Sequence, residues 1–111
     1  AHGTCMIKNF PNHTSPFWNM KQNKDGNTAA KIDVILGGME TIGSAERSTD
    51  VAEMREMFNT ISDGGYAELL HDLFGRDRVQ AELDEFLSHD FFPRVGGGIG
   101  LTRMISALNG K

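Results

Sequence analysis

The sequence predicts an α+β fold in which an antiparallel sheet is flanked by helices. Three observations support this class: strand-like segments fill the first half of the chain, three amphipathic helical segments follow, and a glycine-rich segment leads into a last helix. Strands grouped ahead of helices are typical of α+β proteins, whereas regular alternation would indicate a parallel sheet. The 111 residues fit one domain or part of one, and we treat residues 1–111 as a single unit.

The first predicted strands are short. Residues 4–10 are apolar-leaning and are followed by turn residues with two prolines, which bar regular structure. Residues 17–20 predict a second short strand, and residues 23–27 predict a polar turn.

A hairpin is the clearest strand signal. Residues 31–36 have the strongest strand pattern, and Gly37-Gly38 then predicts a two-residue turn. The returning strand is expected over residues 39–44. This arrangement sets which residues face each other across the pair.

Two carboxylates share one face of the predicted hairpin. Side chains alternate along a strand, so Asp33 and Glu40 point to the same side, about 7–8 Å apart as diagonal neighbours. Two carboxylates suit Mg²⁺, which completes its coordination with water and substrate phosphates. The alternatives are two surface acids without a ligand, or a pair used in general acid–base chemistry.

Arg47 follows Glu40 by seven residues, and this odd spacing places it on the opposite face of a regular strand. A bulge near Gly43-Ser44 would return Arg47 to the face of the acids. There its guanidinium would suit a substrate carboxylate, which it binds with two parallel hydrogen bonds. The alternatives are a structural ion pair and a solvated surface charge.

The first helix has a clear start and a clear end. Asp50 with Glu53 predicts a capping box at its N-terminus. Gly64-Gly65 predicts its end. The apolar stripe expected to face the core consists of Val51, Met54, Met57, Phe58 and Ile61.

Two further helices are predicted. One covers residues 66–74 and ends at Gly75, and the next opens with Asp77 and Gln80 as a second capping pair. The residues expected to face the core are Leu69, Leu70, Leu73, Val79, Leu83, Phe86 and Leu87.

The glycine-rich segment is the most informative part of the chain. After a strand near residues 92–95, a glycine run precedes a helix from about Leu101, with Arg103 inside its first turn. Glycines allow close approach to a ligand, and the N–H groups of a helix start favour anions, as does a guanidinium. The segment is not a P-loop, because no Gly-Lys-Ser/Thr follows, and no βαβ unit surrounds it. The alternative is a flexible turn with a solvated Arg103.

Composition excludes several classes of protein. Fifteen acidic residues against eleven basic ones argue against a general nucleic-acid coat. Cys5 is the single cysteine, which excludes a disulfide framework and predicts a reducing, cytoplasmic location. No apolar run approaches the roughly 18 residues of a membrane helix, so we expect no membrane partner.

Three segments, in this order, resemble the class II aminoacyl-tRNA synthetases of the aspartate/asparagine subgroup, whose catalytic domain ammonia-dependent asparagine synthetases share. Residues 32–47 are similar to the subgroup's Asp…Glu…Arg strand pair, and residues 98–103 are similar to motif 3. Residues 9–18 resemble the strand and turn ahead of them. Motifs 1 and 2 have no counterpart here, so the expected identity is the C-terminal half of the domain.

The resemblance implies a ligase that activates aspartate or asparagine. The amino-acid carboxylate would attack the α-phosphate of ATP and form an aminoacyl-adenylate. Asp33 and Glu40 would bind Mg²⁺ together with the ATP phosphates. Arg47 would hold the side-chain carboxylate or amide of the amino acid.

The resemblance also implies an ATP site. Arg103 would lie along ATP as the catalytic arginine, and Gly98 and Gly100 would allow close packing of the nucleotide. Thr102 replaces the glutamate that synthetases usually carry there and looks more like the asparagine synthetases, so tRNA and ammonia remain alternative acceptors. We also expect self-association through an exposed strand edge. The alternative function is a non-catalytic paralogue or truncated fragment that binds a nucleotide or amino acid, or serves as an interaction module.

Overall fold

The computed structural model describes residues 3–110, and within them the chain forms a four-stranded sheet and four α-helices. The elements in chain order are β1 (Thr4–Pro11), β2 (Thr28–Leu36), β3 (Met39–Arg47), α1 (Val51–Thr60), α2 (Gly65–Phe74), α3 (Arg76–Leu87), β4 (Arg94–Ile99) and α4 (Leu101–Leu108). The strands lie in the order β1-β2-β3-β4, and every neighbouring pair is antiparallel. The predicted α+β class with an antiparallel sheet is confirmed. No helix in the described range is long and apolar enough to cross a membrane.

The hairpin between β2 and β3 has the predicted register at its turn. Ile35 pairs with Glu40, and the two turn residues Gly37 and Gly38 have φ angles of 58° and 78°. A two-residue turn with two positive φ angles matches the twist of the strands, and glycine adopts it without steric cost.

A bulge in β3 decides which side chains share a face. Past the turn the pairing of β2 and β3 shifts at Thr41, which is an extra residue on β3. This extra residue shifts the alternation by one and returns Arg47 to the face that carries Glu40. The bulge predicted near Gly43-Ser44 is therefore present, but it lies two residues nearer the turn. Thr41 is buried there, and its hydroxyl donates to the first carbonyl of β3.

The glycine run belongs to the sheet and is not a loop. The strand predicted near residues 92–95 begins later, at Arg94, and continues through the glycines to Ile99, paired with β3 along its length. The two strands approach closely, because a Cβ atom on Gly97 would lie 2.7 Å from the carbonyl oxygen of Gly43. Backbone hydrogen bonds to β3 thus order the glycine run as a strand, although its glycine content alone suggests a flexible segment.

The polar turn predicted over residues 23–27 is present in the loop between β1 and β2. The side chain of Asp25 accepts hydrogen bonds from the N–H groups of Asn27 (2.8 Å) and Thr28 (3.1 Å). The bond from Asn27, followed by those from Thr28, holds the pKa of Asp25 below its ordinary value.

The strand predicted over residues 17–20 is wrong. The segment is a turn, in which Met20 forms an isolated bridge with Arg47. Its aromatic side chains pack on the helices: the Trp18 ring lies edge-on to Phe58, with the ring centroids 5.4 Å apart. The apolar residues of this segment therefore serve packing and not strand pairing.

Asp50 caps α1 as predicted, but the capping box is modified. The Asp50 side chain accepts from the N–H of Glu53 at 3.0 Å. The hydroxyl of Ser48 accepts from the Asp50 N–H (3.1 Å) and donates to Glu53 Oε2 (2.7 Å). Ser48 thus takes the place that the glutamate has in a regular box, and it ties the start of α1 to the end of β3.

α1, α2 and α3 pack together beside the sheet, and we call these three helices the helical cluster. Leu69 and Leu73, expected to face the core, are 57% and 64% exposed. The inward positions of α2 are taken by Ala67 and Leu70. The core residues are Met54, Phe58, Ala67, Val79, Leu83 and Leu87, with Trp18, Tyr66, Leu70 and Phe91 packed against them.

The start of α3 differs from the prediction. The helix begins at Arg76, and Gly75, with a φ of 86°, is at once the C-cap of α2 and the N-cap of α3. Asp77 lies inside the first turn, where its negative charge interacts favourably with the positive end of the helix dipole. Gln80 does not complete a capping box, because its amide contacts His71 at 3.1 Å.

Candidate functional site

One face of the sheet carries the residues that the sequence analysis selected. Asp33 is opposite Gly43, and Gly43 is opposite Gly98. Directly opposed residues of antiparallel strands point to the same side, and residues two or four apart on one strand share a face. We call this side the site face and define it by Asp33, Glu40, Gly43, Arg47 and Gly98.

The two acids meet above Gly43. A Cβ atom on Gly43 would lie 2.7 Å from Glu40 Oε1 and 3.5 Å from Asp33 Oδ1. Both carboxylates therefore use the space that this glycine leaves free. Asp33 is buried, with 5% exposure, whereas Glu40 is exposed to solvent.

Lys31, which no sequence motif singles out, is part of this cluster. Its ammonium donates a hydrogen bond to Asp33 Oδ1 and forms an ion pair whose side chains are 19% and 7% exposed. The ammonium also lies 3.9 Å from the centroid of the Phe10 ring, in a cation–π contact. The signal was available, because residues two apart on a strand share a face.

Arg47 lies across the backbone of β4. A Cβ atom on Gly96 would lie 2.8 Å from Arg47 Nε and 2.9 Å from its Nη2, so the guanidinium rests on this glycine. Its Nη1 donates to Asn19 Oδ1 at 3.4 Å. Within residues 3–110 no carboxylate lies within 4 Å of this guanidinium, so the structural ion pair is not formed there. Its remaining N–H groups are free to bind a ligand.

Arg103 lies at the start of α4, beside the backbone of Glu40. The helix begins at Leu101, as predicted, and the N–H of Gly100 donates to the carbonyl of Thr41 at 2.8 Å. Arg103 Nη1 donates to the carbonyl oxygen of Glu40 at 2.9 Å. The side chain passes over Gly100, where a Cβ atom would lie 3.3 Å from Arg103 Cδ. Residues at the bulge therefore accept hydrogen bonds from both the start of the helix and its arginine.

Gly98 leaves the part of the site face on the outer strand β4 open. A Cβ atom there would meet nothing within 4 Å. The carboxylates over Gly43 border this backbone floor on one side, and Arg47 over Gly96 borders it on another. A flat floor between carboxylates and guanidinium groups suits a ligand that carries phosphate and carboxylate groups.

The donor set fits Mg²⁺ in number. Across the described part of the chain there is no group of three or more acidic, histidine or cysteine residues placed to hold a metal ion. Asp33 and Glu40 supply two carboxylates, which is what Mg²⁺ uses where water and substrate phosphates complete its octahedral shell. One of these oxygens, Asp33 Oδ1, is shared with the ammonium of Lys31.

The chain belongs to the class II aminoacyl-tRNA synthetases. The sequence model of the family described as "tRNA synthetases class II (D, K and N)" matches residues 1–111. The family resemblance drawn from the strand pair and the glycine-rich segment is confirmed.

Curated relatives in this family are much longer proteins. Asparagine–tRNA ligase of Wigglesworthia glossinidia brevipalpis is 29% identical over 106 residues, which cover 95% of this chain and 20% of the relative. Asparagine–tRNA ligase of Aliivibrio fischeri is 30% identical over 108 residues with the same two coverages. The chain spans about one fifth of the length of these relatives.

Solved structures share the fold. The aspartyl-tRNA synthetase of Entamoeba histolytica superposes with a TM-score of 0.68 at 21% identity, over 97% of this chain and 20% of that one. The asparaginyl-tRNA synthetase of the same organism, in complex with asparaginyl-adenylate, gives 0.70 at 15% identity, over 97% and 22%. At these identities the likeness establishes the fold alone.

Proposed function

We propose that residues 1–111 form the part of a synthetase-like catalytic domain that binds ATP and an amino acid, and that it activates aspartate or asparagine as an aminoacyl-adenylate. The observation that carries the proposal is the open floor at Gly98, which the carboxylates of Asp33 and Glu40 and the guanidinium of Arg47 border, while Arg103 is hydrogen-bonded to the backbone of Glu40. Family membership supports it, as does the neighbour that holds asparaginyl-adenylate.

The two arginines have different proposed roles. Arg103 and the glycines Gly98 and Gly100 would hold the nucleotide, because backbone without side chains admits the phosphates and the guanidinium neutralises them. Arg47 would hold the side-chain carboxylate or amide of the amino acid. Its planar fork suits an oxygen of either group, so the geometry leaves aspartate and asparagine as alternatives.

The proposed reaction is an in-line displacement at the α-phosphorus. A carboxylate oxygen of the amino acid forms the new P–O bond, and the bond from the α-phosphorus to the bridging oxygen breaks, so that pyrophosphate leaves with the electron pair. Arg103 would stabilise the charge that develops on the phosphoryl oxygens, and Arg47 would align the attacking amino acid. Asp33 and Glu40 would hold Mg²⁺, which when bound neutralises phosphate charge.

A second candidate is a binding module without catalysis. The observation that favours it is the ion pair of Lys31 with Asp33, which already neutralises one of the two acids. In that case ATP or the amino acid binds and no adenylate forms. The acceptor in the first candidate, tRNA or ammonia, is a further alternative that Thr102 keeps open.

Pyrophosphate exchange and calorimetry separate the two candidates. For a ligase we expect ATP to bind in the presence of Mg²⁺, and labelled pyrophosphate to enter ATP when aspartate or asparagine is added. Binding without exchange supports the module. No binding of ATP or of either amino acid contradicts both candidates.

Two arginine variants test the assigned roles. Arg103→Ala should weaken ATP binding about tenfold or more, because a hydrogen bond to a charged group contributes about 1.5–3 kcal/mol. Arg47→Ala should weaken amino-acid binding by a similar factor and leave ATP binding unchanged. Arg78→Ala is the matched control, since Arg78 is exposed on α3 and pairs with Glu82. Equal losses in all three variants would refute the assignment.

We also propose that the chain self-associates. β1 and β4 are the outer strands of the sheet, and large apolar side chains are exposed on the sheet and on α4, including Met6 (70%), Val95 (74%) and Leu108 (79%). Light scattering after gel filtration should give a mass above that of one chain, and a monomer at all concentrations would refute the proposal. The cytoplasmic location stays a prediction from the single cysteine, Cys5, which is exposed and free.

A further inference from the structure

The ion pair of Lys31 and Asp33 lies where a metal ion would bind. Asp33 Oδ1 accepts the hydrogen bond from Lys31. The same oxygen faces Glu40 Oε1 above Gly43, at 3.5 Å and 2.7 Å from the position of a Cβ atom on that glycine. The ammonium and a divalent cation held between the two acids would therefore compete for one carboxylate oxygen.

The structure holds Lys31 in this position from two sides. The ring of Phe10 lies 3.9 Å from the ammonium, and Phe10 is opposite Ala29 on the neighbouring strand. The pairing of β1 and β2 shifts just here, so that Ala30 and Lys31 both lie opposite Asn9, whose φ is 60°. Side-chain exposure of 19% for Lys31 and 7% for Asp33 limits competition from water. A buried pair interacts more strongly than an exposed one.

We propose that Lys31 is an intrinsic cation that occupies the metal position at Asp33. Glu40, which forms no ion pair with another described residue, then remains as the acid open to a divalent ion. A triphosphate bound at this site would thus meet the fixed ammonium of Lys31 at Asp33, where a metal ion would otherwise contact the carboxylate. The role of Lys31 toward phosphate rests on the proposed nucleotide site, whereas its competition with a metal ion rests only on the proposed metal position between Asp33 and Glu40.

Mn²⁺ titration followed by electron paramagnetic resonance, without nucleotide, tests this competition. Lys31→Met keeps the apolar stem over Phe10 and removes the charge. The Lys31→Met variant should bind Mn²⁺ with a Kd about tenfold lower than that of the wild-type chain. Lys31→Arg keeps the charge and should bind as the wild type does. Lys31→Met combined with Asp33→Asn should lose the gain.

A matched control removes a different lysine. Lys21→Met takes away the same charge from an exposed pair with Glu46, outside the site face, and should not raise Mn²⁺ affinity. Near-ultraviolet circular dichroism checks that each variant is folded. Lys31→Gln, whose amide still donates to Asp33, provides a second neutral variant should the methionine variant fail to fold.

The outcomes separate this inference from the proposed function. Equal Mn²⁺ affinity in the wild type and the neutral variants overturns the inference, and so does undetectable binding in all of them or a gain that survives Asp33→Asn. If Lys31→Met gains affinity while ATP does not bind, Lys31 is the intrinsic cation and the nucleotide proposal fails. If ATP binds and no neutral variant of Lys31 gains Mn²⁺ affinity, the inference about Lys31 fails and the nucleotide proposal stands.

Discussion

The helical cluster and the sheet use glycine for different reasons. In the cluster, Gly75 has a φ of 86°, and a Cβ atom there would meet nothing within 4 Å. On the sheet, Gly43, Gly96 and Gly97 have no such φ, but a Cβ atom would come within 2.7, 2.8 and 2.7 Å of another atom. Backbone conformation therefore requires glycine at the junction of α2 and α3, as it does in the hairpin turn at Gly37-Gly38, whereas lack of space requires it at these three positions within the strands.

This difference predicts how the two regions respond to substitution. Replacing a glycine that is required for its φ should lower the stability of the fold and leave ligand binding unchanged. A glycine kept for space should affect whatever uses the space: a neighbouring strand at Gly97, the carboxylate of Glu40 at Gly43, and the open floor at Gly98.

Gly97→Ala should have the largest effect. The new methyl group would meet the carbonyl oxygen of Gly43 at 2.7 Å and the Cβ of Ser44 at 2.9 Å, and backbone atoms cannot turn away. Overpacking of this kind costs about 1–3 kcal/mol of unfolding free energy. Urea denaturation measures this loss. An unfolding free energy equal to that of the wild type would contradict the close approach of β3 and β4.

Gly75→Ala should come next. At the junction of α2 and α3, Gly75 combines a φ of 86° with a ψ of 137°, a conformation close to the region that is essentially restricted to glycine and costs another residue about 1–3 kcal/mol. The same denaturation experiment measures the cost. ATP affinity, measured by calorimetry on the folded variant, should stay at the wild-type value. A change in ATP affinity would indicate that the two regions are coupled more closely than their glycines suggest.

Gly98→Ala should leave stability within about 0.5 kcal/mol, because the methyl group enters open space. It should nevertheless weaken ATP binding about tenfold, a loss at the lower end of what one added carbon costs in a fitted site. Gly98→Val should weaken binding further. Unchanged ATP affinity in both variants would remove Gly98 from the proposed site.

Asp25→Asn should have the smallest effect, and it should depend on pH. The pKa of Asp25 is lowered in the folded chain, so its charged form contributes stability above the ordinary carboxyl pKa, and this contribution is lost as pH falls through the lowered pKa. The melting temperature of the variant should therefore lie slightly below that of the wild type at pH 7, and the difference should shrink as pH falls below the ordinary carboxyl pKa and through the lowered pKa of Asp25. Parallel curves over this range would contradict the assignment.

Local features were predictable from the sequence because few residues decide them. The hairpin needs two glycines at its turn, and the start of α1 needs Asp50 as a cap, so both predictions are confirmed. The family was predictable as well, since three short segments carry it. The bulge was predicted, but not its position, because the register depends on which residue of β3 is left out of the ladder.

Other features depend on contacts between residues far apart in the sequence, which local sequence patterns do not reveal. The leucines of α2 lie on two sides of the helix, and which side faces α1 and α3 is decided by packing, so Leu69 and Leu73 were placed wrongly. The pairing of the glycine run with β3 was not predicted, because it is a long-range contact. Lys31 belongs to no motif of its own, and only its spacing of two residues from Asp33 on one strand places it in the site.

One peptide unit joins the two regions mechanically. Trp18 packs edge-on to Phe58 in the helical cluster, while the next residue, Asn19, accepts hydrogen bonds from Arg47 Nη1 and from the Ser48 N–H. A change in helical packing that moves the chain at Trp18 would therefore also move the Asn19 amide that accepts from the guanidinium. The helical cluster would thereby influence the position of Arg47 from a distance.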